Sequence, residues 1–316
     1  MRHLFVCTLF LCWSTIANAG PLAYIASAYS CDASVIDTAE VRVVATIPMA
    51  VCPLGVAVNP VASRAYMTSK ESELVIIDTA TNAVVRYLLI GHNPRGLAVS
   101  PDGSKVYLVA FDWVAVFDTA SETVATRIPL LAGQFVAFNP AGTRAYVTTG
   151  GPLTVIDTAT STVIATVPVG KDAMGLAVTP DGTRVYVSNK DSVSVIDTAT
   201  NTVVATIPAG GFAGFVAVHP DGRHAYVTTT NSLIVYVIDT QTNSIVAAIA
   251  DDEGPFGVEV APDGLHLFVA DIGGTVARID TANNLIMNRV PVGNGSASYG
   301  NFIGGMPDVI FADGFD

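Results

Sequence analysis

The side chains that could do chemistry are few and scattered. Of four cysteines, Cys7 and Cys12 lie in an apolar N-terminal stretch, and Cys31 and Cys52 follow it. A pair left over in an exported chain points to a disulfide, with two buried free thiols as the alternative. The sequence holds no Cys-x-x-Cys-His for haem attachment and no Gly-x-Ser-x-Gly for a serine hydrolase. It has no vicinal cysteines or tryptophan cluster to suit a quinone cofactor. The acidic residues Asp32, Glu71, Glu73, Asp112, Asp191 and Asp271 could hold Ca²⁺ together with loop carbonyls, yet they show no fixed ligand spacing. No cofactor is expected beyond that.

Another set of carboxylates is spaced regularly. Asp37, Asp78, Asp118, Asp157, Asp197, Asp239 and Asp280 each precede a threonine, at intervals of 41, 40, 39, 40, 42 and 41 residues. A group repeated at the same place in every unit is a structural device before it is a catalyst. A period near 40 containing several short strands predicts a β-propeller. The unit reads well from Gly175 to Pro208. A first strand, Gly175–Val178, runs into the turn Thr179-Pro180-Asp181-Gly182. There Pro sets φ, Asp bonds its own backbone and Gly takes the left-handed position. Strands follow at Arg184–Ser188, Val193–Asp197 and Thr202–Pro208.

The columns of the repeat define the rest of the scaffold. The second strand carries Tyr24, Tyr66, Tyr107, Tyr146, Tyr186, Tyr226 or Phe268, an expected packing position between blades. Two residues earlier stand Arg64, Lys105, Arg144, Arg184, His224 and His266, with Leu22 in the first unit. The second and third strands form a hairpin, so these bases should lie opposite the repeated aspartates as cross-strand pairs. Complete units begin near Leu54, Arg95, Phe135, Gly175, Phe215 and Phe256. The N-terminal piece Ala23–Pro48 has three strands, and Tyr299–Ile303 is the expected fourth. The prediction is an all-β, seven-bladed propeller of four antiparallel strands per blade. Three N-terminal strands and one C-terminal strand close the ring, which removes open sheet edges.

The ends of the chain and its charge bound the setting. Arg2 and His3 precede the apolar run Leu4–Trp13, and Ala17-Asn18-Ala19 follows. This is the form of a secretory signal peptide over 1–19. The propeller would then occupy 20–303 and a compositionally distinct tail 304–316. No other long apolar run is present, so no membrane span is expected. The chain has 15 basic and 27 acidic residues, a net charge of −12. That surface repels phosphate backbones and disfavours nucleic acid as a partner. The 51% apolar content fits sheets covered on both faces. A monomer is expected.

Copies such as Leu176–Asn189 (LAVTPDGTRVYVSN) and Val193–Gly210 (VSVIDTATNTVVATIPAG) resemble the YVTN-repeat family of bacterial β-propellers. The likeness rests on Tyr146-Val147-Thr148-Thr149 and Tyr186-Val187-Ser188-Asn189, on the Pro-Asp-Gly turn and on the Ile-Asp-Thr hairpin. It spans about Leu22–Ile303. It implies the fold and an exported or cell-surface location. The wider set of similar propellers includes quinoprotein dehydrogenases, haem-d1 nitrite reductases and lactonases, so the fold does not choose an activity. The tail, MPDVIFADGFD, resembles a short terminal motif, Ile-Phe-x-Asp-Gly-Phe-Glu, with Asp316 in place of Glu. It reads as a sorting signal or as a frayed end.

Function is expected where the units differ. The loops from strand two to three and from one blade to the next should converge on one mouth of the channel, and these vary while the opposite turns repeat. The candidate ligand-binding residues there are Arg95 and Lys190 as cationic anchors, Gln134, and Trp113, Phe256 and Tyr299 as apolar walls. Of the histidines after the signal peptide, only His92 falls on that face, which disfavours a His-based metal site. The expected function is an exported, non-enzymatic propeller that binds a protein or small-molecule ligand. The enzymatic alternative is a metal-dependent, lactonase-like hydrolase with a carboxylate-lined site in the channel. Catalytic and metal-ligating residues are assigned to neither.

Overall fold

The computed structural model describes residues 21–91, 93–295 and 302–303. The predicted signal peptide, His92, Tyr299 and the tail 304–316 lie outside them. Blade 1 holds Leu22–Ser27, Asp32–Asp37 and Arg42–Pro48 in one three-stranded sheet. Blades 2 to 7 follow as six four-stranded antiparallel sheets over 53–89, 97–129, 136–167, 176–208, 213–250 and 255–291. No helix occurs among the described residues, so none there is long and apolar enough to cross a membrane. The innermost place of blade 1 is taken from the C-terminal end. The Tyr24 amide donates to the Phe302 carbonyl at 2.7 Å, and Ala23 pairs with Ile303 in an antiparallel bridge. Blade 1 is thus shared between the two ends, as the sequence predicts.

Burial follows position in the blade. Second and third strands are covered on both faces, while the outermost strands alternate between covered and exposed residues. Innermost strands of neighbouring blades touch one another around the channel. In blades 2 to 6 one row of side chains crosses the blade and faces the next. It reads Ala57–Tyr66–Ile76, Ala98–Tyr107–Val116, Ala137–Tyr146–Val155, Ala177–Tyr186–Val195 and Ala217–Tyr226–Val237. The small residue leaves room for the ring beside it, and the β-branched residue packs against its other edge.

The phenol hydroxyls reach across the blade boundary. Tyr24 donates to Asn82 Oδ1 of blade 2 at 2.8 Å, and Tyr186 donates to Asn243 Oδ1 of blade 6 at 3.0 Å. Burial pushes Tyr24 and Tyr186 up to about 12, so both remain protonated donors at neutral pH. Asn82 and Asn243 belong to a column of turn residues, Val41, Asn82, Glu122, Ser161, Asn201, Asn243 and Asn284, all with φ between 50° and 59°. Asn tolerates that left-handed conformation better than most side chains. At positions 82 and 243 it therefore completes the third-to-fourth strand turn and receives the neighbouring tyrosine.

The repeated aspartates cap those turns. Asp197 Oδ1 accepts the amides of Ala199 and Thr200, at 3.0 and 2.9 Å. The Thr200 hydrogen bonds and the nearby Arg184 hold its carboxyl below the usual range. Each predicted base stands opposite its aspartate in the register, from Arg64–Asp78 to His266–Asp280. Arg64–Asp78, Lys105–Asp118 and Arg184–Asp197 form ion pairs. Arg144 instead donates to the Thr198 carbonyl of blade 5 at 2.6 Å.

Cys31 and Cys52 form a disulfide. Cys31 lies in the turn after Leu22–Ser27, and Cys52 immediately precedes the first strand of blade 2. The bond ties the shared blade to its neighbour across 21 positions of sequence. A loop of that size is worth about 3 kcal/mol in the chain-entropy account. Reduction, or Cys31→Ser, is expected to lower unfolding stability by about that amount in urea melts. Non-reduced peptide mapping should recover the linked pair; two free thiols would contradict it.

Candidate functional site

The variable face is organised by a ring of equivalent residues where each innermost strand begins. In blades 2 to 7 these are Leu54, Arg95, Gln134, Met174, Gly214 and Phe256. In four of them the backbone is pinned by a buried hydroxyl of the preceding blade. Thr68 Oγ1 donates to the Arg95 carbonyl at 2.6 Å and Thr228 Oγ1 to the Phe256 carbonyl at 2.7 Å. Thr148 and Ser188 do the same for Met174 and Gly214. Each hydroxyl also accepts an amide of its own blade: Gly55, Phe135, Gly175 or Phe215. A hydroxyl with no exposure that both donates and accepts is fully satisfied, so it costs little to bury. The mouth therefore has a fixed main chain and side chains free to differ.

The structure brings Arg95 and Gln134 together. Arg95 Nη1 donates to Gln134 Oε1 at 2.5 Å, between adjacent connections. Phe256 joins a second group. Its ring lies 4.9 Å from Phe215, which in turn meets Phe135 edge-on at 4.6 Å. Phe135 belongs to blade 4 and Phe215 to blade 6, so the contact passes over blade 5. Gly175 permits it: a Cβ there would lie 2.6 Å from the Gly214 carbonyl and 2.7 Å from Phe215 Cα.

The other expected residues lie elsewhere. Trp113 is 8% exposed at the start of the third strand of blade 3, with the Arg127 guanidinium 5.1 Å above its ring. It packs into the blade rather than forming an open wall. Lys190 is exposed on the blade 5 loop, and its amide bonds the Lys171 carbonyl. Apolar groups not singled out by the sequence as binding residues also stand on this face. Phe111 is 64% and Leu131 76% exposed, and Tyr29, 73% exposed, lies under Lys70 Nζ at 4.8 Å.

The acidic loop residues do not converge. Glu71 Oε2 accepts the Cys52 amide at 2.9 Å. Among the described residues no three His, Cys, Asp or Glu side chains gather as a metal site. A groove of about 680 Å³ opens on the repeated-turn side between blades 3 and 4. Its polar lining is engaged locally: Asp102 holds Ser100 and Ser104, and Lys105 pairs with Asp118.

One ionic cluster lies beneath the variable face at the boundary of blades 6 and 7. Arg289 donates to Asp251 Oδ1 and to Asp271 Oδ2, each at 2.7 Å, and Thr275 Oγ1 donates to Asp271 Oδ2 at 2.8 Å. Both carboxylates have zero exposure. Burial first, then the charge of Asp251, pushes Asp271 up to about 8. With its folded value raised, Asp271 stabilises the fold at low pH, and that contribution is lost as pH rises through about 8. Arg289→Ala leaves two buried carboxylates without their cation, at an expected cost of about 3–5 kcal/mol. Urea melts at pH 6 and pH 9 check this; the deficit should be larger at pH 9.

No protein-family model matches this chain, and no curated protein does. Solved structures resemble it. Hydrazine synthase from Kuenenia stuttgartiensis aligns at TM-score 0.75 and 20% identity, over 87% of this chain and 99% of that one. A functionally unknown protein from Desulfotomaculum acetoxidans DSM 771 aligns at TM-score 0.80 and 16% identity, over 92% of this chain and 100% of that one. The dihydro-heme d1 dehydrogenase NirN, in complex with DHE, aligns at TM-score 0.69 and 17% identity, over 89% of this chain and 75% of that one. At such identities the likeness establishes the seven-bladed propeller and stops there.

Proposed function

We propose that this chain is an exported, non-enzymatic propeller of the YVTN-repeat kind that binds a small ligand or partner segment at its variable mouth. The observation that carries the reading is the mouth ring itself. Its backbone is held by the same hydroxyl device in four blades, while its side chains run from glycine to arginine. A scaffold that fixes main chain and varies side chain is suited to recognition. Arg95 and Gln134 offer a cation and an amide side by side, and Phe256 an apolar surface on the same ring. Together they favour a ligand with a carboxylate and an apolar body. Lys190 is assigned to the periphery of the site and Trp113 to its support. Export is supported by the N-terminal pattern and by the disulfide.

A thermal-shift screen of small aliphatic and aromatic carboxylates, run with CaCl₂ or with EDTA, tests the reading. Carboxylates with an apolar body should raise the melting temperature. The double substitution Arg95→Ala with Gln134→Ala should weaken the response at least tenfold in concentration. An unchanged response in that variant would place binding elsewhere. A shift produced by Ca²⁺ alone and abolished by EDTA would favour the metal-dependent hydrolase.

A further inference from the structure

Blade 7 breaks the row that every other complete blade presents to its neighbour. Where five blades have Ala–Tyr followed by Val or Ile, blade 7 has Glu259–Phe268–Arg278. The turn of blade 1 that should receive a hydroxyl from this row carries Val41, which has no side-chain acceptor. The tyrosine tie is therefore missing from both sides of one boundary, the one where the two chain ends close the ring. Polar groups have moved to the ends of the row instead. Glu259 Oε2 accepts the Ile303 amide at 2.8 Å, and the Phe302 amide also bonds this carboxyl. Arg278 Nη1 approaches the Ala39 carbonyl of blade 1 at 3.4 Å.

The position of Glu259 gives those bonds weight. The other innermost strands carry Ala57, Ala98, Ala137, Ala177 and Ala217 at this place, and each of those strands is covalently continuous with its own blade. The C-terminal segment arrives from the far end of the chain. Among the described residues Phe302 and Ile303 pair with blade 1 through one bridge and one backbone hydrogen bond, and further back along the chain the Gly295 and Asn294 carbonyls accept the Ala28 and Tyr29 amides. A side-chain acceptor reaching from blade 7 adds a second attachment from the other side. We propose that Glu259 is a latch that fastens the C-terminal strand into blade 1 and releases it in alkaline solution.

The electrostatics set the sign. Phe268, Phe302, Ile303, Ala23 and Ile25 surround this boundary with apolar groups. The charged or titratable groups on the facing elements are few. Arg278 stands beyond Phe268 on the same row, and His266 sits two residues along the adjacent strand, paired opposite Asp280. Tyr24 of blade 1 turns its hydroxyl away, toward Asn82. Loss of hydration dominates and pushes Glu259 up to about 8, with the two amide hydrogen bonds pulling the other way. A neutral carboxyl can sit in this seam and accept the amides. Glu259 keeps only partial exposure beside these apolar groups, so the ionised form carries a charge that the seam solvates poorly. The raised folded value means that stability is fully present below the unfolded range and is lost as pH rises through about 8.

Hydrogen exchange of the full chain, read by mass spectrometry between pH 6 and 9.5, tests the latch. Protection of the peptide bearing Phe302 and Ile303 is corrected for intrinsic rate and compared with that of Leu176–Val178, the innermost strand of blade 5. In the unsubstituted chain the ratio should fall at least tenfold between pH 7 and 9.5. Glu259→Gln keeps an acceptor and cannot ionise, so its ratio should stay flat with pH. Glu259→Ala should show a low ratio throughout. A flat profile in the unsubstituted chain overturns the proposal, as does a fall that survives in Glu259→Gln. If Glu259→Ala does not fold, the other two profiles decide.

Discussion

A ring of seven sheets closes only if each blade shows its neighbour nearly the same face. In blades 2 to 6 that face is set by one buried tyrosine, flanked by alanine on the innermost strand and a β-branched residue on the third. The ring fills the space between sheets, and at Tyr24 and Tyr186 the hydroxyl reaches the left-handed asparagine of the next blade's turn. Two constraints meet in that contact. The turn needs a residue that tolerates positive φ, and the buried phenol needs an acceptor. Asparagine answers both, which gives the repeated Asp-Thr-x-x-Asn pattern a physical reason. The Thr or Ser two residues after the tyrosine makes the corresponding tie at the inner edge, where it pins the next blade's mouth residue. One short strand segment thereby fixes spacing at the outer turn and at the channel.

That arrangement separates what must repeat from what can vary. The turns on one side serve the packing and are held to a narrow sequence. The mouth residues on the other side have their main chain fixed from behind, so Leu54, Arg95, Gln134, Met174, Gly214 and Phe256 can differ without disturbing the ring. In a chain of net charge −12, an exposed arginine at the mouth is a local field of opposite sign. The exposed Phe111, Leu131 and Tyr29 extend an apolar rim around it.

Legibility in the sequence followed the range of the interaction. Turn chemistry is local and repeated, so the Asp-Thr column located the third-to-fourth strand turn of every blade, Pro-Asp-Gly the first-to-second turn of blades 3, 5, 6 and 7, and the tyrosine column the packing face. The disulfide was legible because both cysteines fall in loops on one side of the same blade. The contact of Phe135 with Phe215 was not, because it skips a blade and depends on Gly175 lacking a side chain. Trp113 stands at a loop edge in sequence, but Arg127 of the neighbouring strand covers it. Arg289, Asp251 and Asp271 come from three segments whose registers had to be known before they could be seen to meet. Glu259 and Arg278 did leave a trace: each is a charged residue in a column that is otherwise alanine, valine or isoleucine. Comparing columns for departures, and not only for agreement, would have marked both.

The central claim is that recognition belongs to the mouth and scaffolding to the opposite side. Crystals of the Gly20–Asp316 chain soaked with a set of small carboxylate and aromatic-acid fragments would test it most directly. Fragment density should collect beside Arg95, Gln134 and Phe256. Density confined to the repeated-turn side, such as the groove near Asp102 and Ser161, with none at the mouth, would contradict the account.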